Sequence, residues 1–213
     1  PMPNQPFGWF KKEIQGANEL KGLKYRTLGI AADMSAAIGM NVNPLPGGKL
    51  ASAIESGELD GAEFNNPISD RAIGLPKVAK VCMLQSYHQP CECFDVLYNK
   101  TSFDSLPRET QEILRIAATA ASADMAWKAM NLYSTALEEL QKSQGVKMVK
   151  TPEDILAAQL KGWDKVIADM SAKNAFFKKV VESQKAWAKR VVGFSLRWEV
   201  NQRMAYEHNF GKL

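Results

Sequence analysis

Cysteine and histidine are both scarce in this chain of 213 residues, which has three cysteines and two histidines. A zinc site would therefore have few ligands available. Cys82, Cys91 and Cys93 are odd in number and form no paired C-x-x-C motif, and Cys91 and Cys93 would share one face of an extended strand, where a mutual disulfide is disfavoured. We expect three buried thiols rather than metal ligands.

Several other signals are missing, and each excludes a class of protein. No apolar run approaches the roughly 20 residues that cross a bilayer, so membrane insertion is not expected. The net charge is +4 and the basic residues are interspersed with acids, which argues against a nucleic-acid partner. No Gly-x-Ser-x-Gly or phosphate-binding loop occurs. The chain begins at Pro1 without a signal peptide, and we expect a mature or truncated piece that lacks its targeting segment.

The first part of the chain shows an α/β rhythm. Residues 1–10 are proline-rich and predict an extended N-terminal segment. The alternating patterns that follow predict short strands with intervening helices, which favours a parallel sheet with right-handed crossovers. The predicted extended segments are 23–28, 40–44, 59–64, 77–84 and 93–99, with a helix over 31–38.

The second part is mainly helical. Residues 108–144 contain neither proline nor glycine, which predicts one very long helix that ends at Gly145. Residues 146–149 predict a brief strand, and Thr151 is then the expected N-cap of a helix to about 171. A further helix is predicted over 175–192, and Gly193 separates it from a last helical stretch.

The stretch 45–67 combines helix, strand and turn signals within a short distance. Gly57 stands where a helix C-cap glycine belongs, and a short strand then leads to Glu63, Phe64 and the Asn65-Asn66-Pro67 turn. A carboxylate, a ring and two amides therefore meet at the carboxyl end of a strand, where open α/β sheets bind ligands. The alternative is an ordinary solvent-facing Glu63.

Three motifs carry a resemblance across nearly the whole chain. These are Gln5-x-x-Gly8-Trp9-Phe10, the Leu20 to Arg26 segment (LKGLKYR), and the Gly57 to Glu63 segment (GELDGAE). The sequence resembles the substrate-binding proteins of tripartite ATP-independent periplasmic (TRAP) transporters, within the branch for 2-oxo and 2-hydroxy monocarboxylates. The resemblance implies an α/β, periplasmic-binding-protein-like fold of two lobes, with a preceding segment missing here. It assigns residues 1–90 mainly to the second lobe with the site, 91–145 to a return to the first lobe and the hinge-spanning helix, and 146–213 to a second-lobe strand and C-terminal helices.

The resemblance also assigns the site. Arg26 would fix the ligand carboxylate with its planar fork, and Na⁺ or Ca²⁺ would be held by Gln5, Glu63 and the backbone carbonyl of Phe64. The implied ligand contacts are Arg26, Glu63, Phe64, Asn66 and His88. The cation would remove the repulsion between Glu63 and an anionic ligand.

This chain departs from the branch pattern at three places. Phe64 replaces a usual tryptophan, Asn65-Asn66 replaces an apolar residue and glycine, and Tyr87-His88 replaces two tryptophans. These changes predict a more polar pocket and a ligand that is larger or more hydroxylated than pyruvate. His88 is then either a ligand contact or an ordinary hydrogen-bonded histidine.

Three classes of function follow from these residues. The first is a periplasmic receptor that is not an enzyme and that delivers a small organic acid to TRAP membrane permease subunits. The second is a metal-assisted lyase or hydrolase with Glu63 as base and His88 as acid. The third is an interaction module, because a missing half-lobe would expose apolar surface and favour a homodimer or a domain swap.

Overall fold

A six-stranded mixed sheet organises the first part of the molecule. The structure is a computed structural model that describes residues 2–212. The strands are β1 (Gly8–Phe10), β2 (Lys24–Arg26), β3 (Asn41–Val42), β4 (Gly61–Ala62), β5 (Val81–Met83) and β6 (Lys147–Val149). They lie in the order β3-β2-β4-β1-β5-β6.

The sheet departs from the predicted parallel arrangement at one strand. β2 pairs in parallel with β3 and β4, and β5 pairs in parallel with β6. β1, however, is inserted antiparallel between β4 and β5. The expectation of an extended N-terminal segment did not identify this strand, because three residues of Gly-Trp-Phe carry no recognisable alternation.

Nine helices connect or follow these strands within the described residues. They are α1 (Ile30–Ala37), α2 (Leu50–Ser56), α3 (Pro67–Ala72), α4 (Leu75–Val78), α5 (Lys100–Asp104), α6 (Arg108–Gln144), α7 (Glu153–Lys173), α8 (Ala175–Trp198) and α9 (Gln202–Phe210). Asparagine side chains cap the first turns of α3, α5, α8 and α9, where free backbone N–H groups need acceptors. α2 ends at Gly57 in the left-handed region, as predicted.

The core lies on both faces of the sheet because successive strand residues point to opposite sides. On β1, Phe10 packs into a cluster with Phe7 and Tyr25, whereas Trp9 packs into a second cluster with Leu50 on the other face. Each such buried apolar side chain contributes about 1.5–3 kcal/mol. The two clusters hold the strands, and thereby their carboxyl ends, in fixed positions.

The predicted strand over 93–99 is wrong. These residues have no regular secondary structure and are exposed, with Leu97 86% accessible. An alternating pattern forms a strand only when a neighbour pairs with it, and no described strand lies beside this segment. The same exposure corrects the cysteine prediction, since Cys82 is buried but Cys91 and Cys93 are exposed.

Two other boundaries differ from the prediction. The extended run expected over 77–84 begins later, because α4 occupies Leu75–Val78 before β5 starts. The hydroxyl of Thr151 caps no helix; it is buried without a hydrogen-bond partner among the described residues, and α7 starts at Glu153.

The prediction of one long helix over 108–144 is confirmed by α6. With a rise of about 1.5 Å per residue, it is roughly 55 Å long. Its buried residues, Ala129, Ala136 and Leu140, all lie in the C-terminal half, which packs against α3 and α4. Its N-terminal half is exposed, and Ile116 remains 67% accessible there.

The chain divides into two compact units, the first ending at Val166 and the second beginning at Ile167. The second unit contains the end of α7 together with α8 and α9. The break expected at Gly193 is wrong, since α8 continues to Trp198; a single glycine inside a helix costs only about 1 kcal/mol. Among the described residues, none of the helices combines the length and the hydropathy that a bilayer crossing requires.

Candidate functional site

Two strand ends bring Arg26 and Glu63 together, as the sequence predicted. Arg26 closes β2, and its register partner Ala62 closes β4, so Glu63 emerges beside it. The guanidinium Nη1 donates to Glu63 Oε1 at 3.0 Å and to the Glu63 carbonyl at 2.8 Å. Nε donates to the carbonyl of Leu45 at 2.9 Å. The side chain is therefore fixed at three points.

The pair is buried, with Arg26 3% and Glu63 4% exposed. Burial raises the pKa of Glu63 to about 7, because the lowering effects of Arg26 and of a hydrogen bond from Thr27 are smaller than the cost of desolvation. The carboxylates of Asp70 and Glu92 raise it further. A positive charge placed here would stabilise the ionised form.

Gln5 and His88 form the second half of the site. His88 Nε2 lies 3.2 Å from Gln5 Oε1, and His88 Nδ1 lies 2.7 Å from the hydroxyl of Ser86. Burial lowers the pKa of His88 to about 4, so the ring is neutral at neutral pH. Its 4.0 Å approach to Glu63 Oε2 is consequently not an ion pair. Both ring nitrogens have partners, which favours the ordinary hydrogen-bonded histidine; a direct ligand contact stays a prediction.

Glu92 belongs to the site but was missed by the sequence interpretation. The segments that carry Gln5 and Glu92 lie side by side, since Met2 and Glu92 form an antiparallel bridge and the Gln5 N–H donates to the Gln89 carbonyl at 3.1 Å. Glu92 is 8% exposed and accepts a hydrogen bond from Asn65 Nδ2 at 2.7 Å. The available signal was the alternation of one acid with Cys91 and Cys93 along an extended segment.

The turn after Glu63 is held in place by hydrogen bonding to Asp70, a completely buried residue of α3. Its Oδ2 accepts from the Trp9 indole N–H at 2.7 Å, and its Oδ1 accepts from the Asn65 backbone N–H at 2.9 Å. Burial raises the pKa of Asp70 to about 7 despite these hydrogen bonds. Sequence analysis did not identify this residue, which follows a turn and resembles a routine first-turn acid.

Phe64 is placed by the glycine turn that opens the central stretch. A Cβ atom on Gly47 would lie 2.5 Å from a ring carbon of Phe64, so the ring occupies space that only glycine leaves free. The ring also lies 5.8 Å from Arg26 Cζ, within cation–π range. Phe64 therefore forms an apolar wall against the guanidinium.

A cleft of ≈ 230 Å³ opens onto these groups. It is lined by Gln5, Arg26, Thr27, Leu28, Glu63, Phe64, Gln89 and Glu92. Asn66 lines a neighbouring cavity instead, and its amide oxygen caps α3 by accepting from the backbone of Ile68 and Ser69. A direct contact between Asn66 and the ligand stays a prediction.

The donor chemistry of the cleft fits a hard cation. Gln5 Oε1 and the Glu63 carboxylate are hard oxygen donors of the kind that Na⁺ and Ca²⁺ prefer, and the Phe64 carbonyl follows Glu63 directly in the chain. Within residues 2–212, no three side chains of His, Cys, Asp or Glu meet as a metal cluster. The fit therefore depends on amide, carbonyl and carboxylate oxygens together.

Comparison with known proteins agrees with this arrangement. Residues 5–174 match the sequence model of the DctP family, the bacterial extracellular solute-binding proteins of family 7. The chain belongs to this family. Family 7 membership confirms the predicted resemblance to solute-binding proteins.

Individual relatives extend the comparison. A monocarboxylate 2-oxoacid-binding periplasmic protein from Nostoc sp. is 34% identical over 94% of this chain. A TRAP periplasmic solute-binding protein from Colwellia psychrerythraea, solved with calcium and pyruvate, superposes on 98% of the chain with a TM-score of 0.82 and 28% identity. One from Pseudoalteromonas atlantica, solved with sodium and pyruvate, matches 93% with a TM-score of 0.73 and 27% identity.

The chain spans 54% of the length of the Nostoc relative. It spans 62% of each of the two solved structures. The α/β fold of the TRAP solute-binding proteins is therefore present in part.

Proposed function

We propose that this chain supplies the carboxylate-fixing and cation-holding side of a receptor for small 2-oxo or 2-hydroxy monocarboxylates. The observation that carries the proposal is the buried Arg26–Glu63 pair, 3.0 Å apart at the mouth of a small cleft that also holds the Gln5 amide. Relatives named for 2-oxoacids and for pyruvate support the same ligand class.

Each residue has a role that its contacts support. Arg26 Nη2 makes no hydrogen bond to another described residue, so it can donate to a ligand carboxylate. Gln5, Glu63 and the Phe64 carbonyl would hold Na⁺ or Ca²⁺, which supplies positive charge between Glu63 and the ligand. The Phe64 ring would cover the apolar end of the ligand. A cleft of ≈ 230 Å³ suits an acid of few heavy atoms.

The expectation of a larger or more hydroxylated ligand has no support from the two amides. Asn65 donates to Glu92 and accepts from Asn66, while Asn66 caps α3. Both side chains are therefore engaged with the protein, and the prediction of a more hydroxylated ligand stays a prediction.

The enzyme alternative is weak on chemical grounds. His88 would have to donate a proton, but its pKa is lowered to about 4 by burial, so it carries no spare proton at neutral pH. The relatives are solute-binding proteins, and none of their names describes a reaction.

The wider setting follows from the same proposal. The receptor would work in the periplasm and deliver its organic acid to TRAP membrane permease subunits. Residues 1–90 would lie mainly in the second lobe, 91–145 would return to the first lobe through the hinge-spanning helix, and 146–213 would add a second-lobe strand and C-terminal helices. The exposed apolar residues of 93–99 and of the N-terminal half of α6 favour a homodimer or domain swap of this chain.

Ligand-induced stabilisation tests the proposal. Pyruvate with CaCl₂ or NaCl should raise the unfolding midpoint of the wild-type chain, because a ligand that binds only the native state stabilises it. Arg26→Ala should abolish this shift, whereas Arg71→Ala, which removes an exposed guanidinium paired with Glu139, should retain it. Circular dichroism would verify that both variants fold. A shift that survives in Arg26→Ala would refute the site.

A further inference from the structure

Glu92 is a second carboxylate in the cleft, and the fold holds it there. Its backbone is bridged to Met2 by hydrogen bonds of 2.8 and 3.3 Å, and its side chain accepts from Asn65 at 2.7 Å. It lines the same cleft as Arg26, Glu63 and Gln5. The proposed function gives it no role.

The charges of the cleft can be counted from its lining residues. Arg26 carries one positive charge, while Glu63 and Glu92 carry two negative charges when ionised. His88 adds none because its ring is neutral at neutral pH. A monocarboxylate ligand would bring the total to minus two. A sodium ion would leave one uncompensated negative charge, whereas a calcium ion would leave none.

The two carboxylates act on one another across the cleft. Glu63 is 4% and Glu92 8% exposed, and both line the same cleft as the guanidinium of Arg26. Two ionised acids beside one arginine leave an excess of negative charge in the cleft, which a cation would compensate.

We infer that Glu92 determines the cation preference of the site and makes it selective for Ca²⁺ over Na⁺. The inference rests on the proposed function, which leaves the two ions undecided. Coulomb energy scales with the product of the charges, so a carboxylate attracts a divalent ion twice as strongly as a monovalent ion at the same distance. If removal of Glu92 raises the dissociation constant of Na⁺ by some factor, it should therefore raise the dissociation constant of Ca²⁺ by the square of that factor.

The experiment compares the two cations on the 213-residue chain. Titration calorimetry and thermal unfolding would be measured with CaCl₂ or NaCl, with and without pyruvate, at an ionic strength held constant with choline chloride. The variant is Glu92→Gln, which keeps the size of the side chain and an oxygen that can accept from Asn65. Glu92→Asp tests retention of charge, and Glu58→Gln removes an exposed acid outside the cleft as a control for net charge.

The expected result is tighter binding of Ca²⁺ than of Na⁺ by wild type. If Glu92→Gln weakens Na⁺ binding about threefold, Ca²⁺ binding should weaken about tenfold. Glu92→Asp should keep most of the preference, and Glu58→Gln should keep all of it. Equal binding of both ions by wild type, or an unchanged preference in Glu92→Gln, overturns the inference and leaves the proposed receptor intact. Absence of cation-dependent pyruvate binding with either ion overturns both.

Discussion

Replacing Arg26 with methionine isolates the contribution of the guanidinium to the stability of the site. Methionine keeps much of the buried volume but removes the hydrogen bonds to Glu63 and to the Leu45 carbonyl. Glu63 is then a buried carboxylate without its counter-charge. The consequence depends on pH because Glu63 can take up a proton.

The magnitude follows from two terms. Loss of donors to the Leu45 and Glu63 carbonyls costs about 1–3 kcal/mol each at any pH. Arg26 lowers the pKa of Glu63, so its removal raises that pKa above the wild-type value of about 7. A folded pKa above the unfolded one gives stability that is present at low pH and lost as pH rises through the folded value. Each further unit of pKa adds about 1.4 kcal/mol of destabilisation at high pH.

Urea unfolding monitored by tryptophan fluorescence, without added cation or organic acid, measures this effect. Arg26→Met should lose more free energy of unfolding at about pH 8 than at about pH 5, by up to ~1.4 kcal/mol, because wild-type Glu63 already has a pKa of about 7. Arg26→Met/Glu63→Gln should lose most of this difference, since residue 63 no longer titrates. Arg71→Met, with its exposed ion pair, should cost less than about 1 kcal/mol at both pH values. An equal loss for Arg26→Met at both pH values would refute the reasoning.

Three further results are expected. Gly47→Ala should displace the Phe64 ring, which lies 2.5 Å from the new Cβ position, and should weaken pyruvate binding about three- to tenfold (~1 kcal/mol) as measured by calorimetry. Gly48→Ala, whose new Cβ meets no atom within 4 Å, should bind pyruvate like the wild type. Equal pyruvate affinities of the two variants would contradict the assignment of Phe64 as a wall of the cleft. Asp70 has a pKa of about 7 in the folded state against 3.8 in the unfolded state, so the free energy of unfolding should fall by up to about 4 kcal/mol as the pH rises between these values. In urea titrations at several pH values, Asp70→Asn should flatten this pH dependence. An unchanged pH dependence would exclude Asp70 as its cause. Sedimentation velocity should show self-association through the exposed apolar residues of 93–99 and α6, and a monomer at tens of micromolar would count against it.

The family resemblance predicted the centre of the site, and the strand pattern agrees with it. Arg26 and Glu63 each follow a short strand, and parallel strands place their carboxyl ends at one edge, so the pair could be expected to meet. The bounds of α6 could also be predicted from the local sequence, because its 37 residues contain no proline or glycine that would end a helix.

Contacts between distant parts of the sequence could not be predicted in the same way. Glu92 reaches the cleft only because its segment bridges Met2, and no pattern around either residue indicates that pairing. Residues 93–99 show the opposite error, since their alternation is real but no described strand pairs with them. The antiparallel insertion of β1 likewise depends on two partners that its own sequence does not specify.

The bridge between Met2 and Glu92 also decides whether oxygen or sulfur faces the cleft. Side chains alternate along an extended segment, so Glu92 points inward while Cys91 and Cys93 point to solvent. A slip of one residue would exchange the acid for a thiol and turn an oxygen-lined pocket into one suited to softer metals such as zinc or copper. Two backbone hydrogen bonds thereby keep a carboxylate rather than a thiol in the cleft.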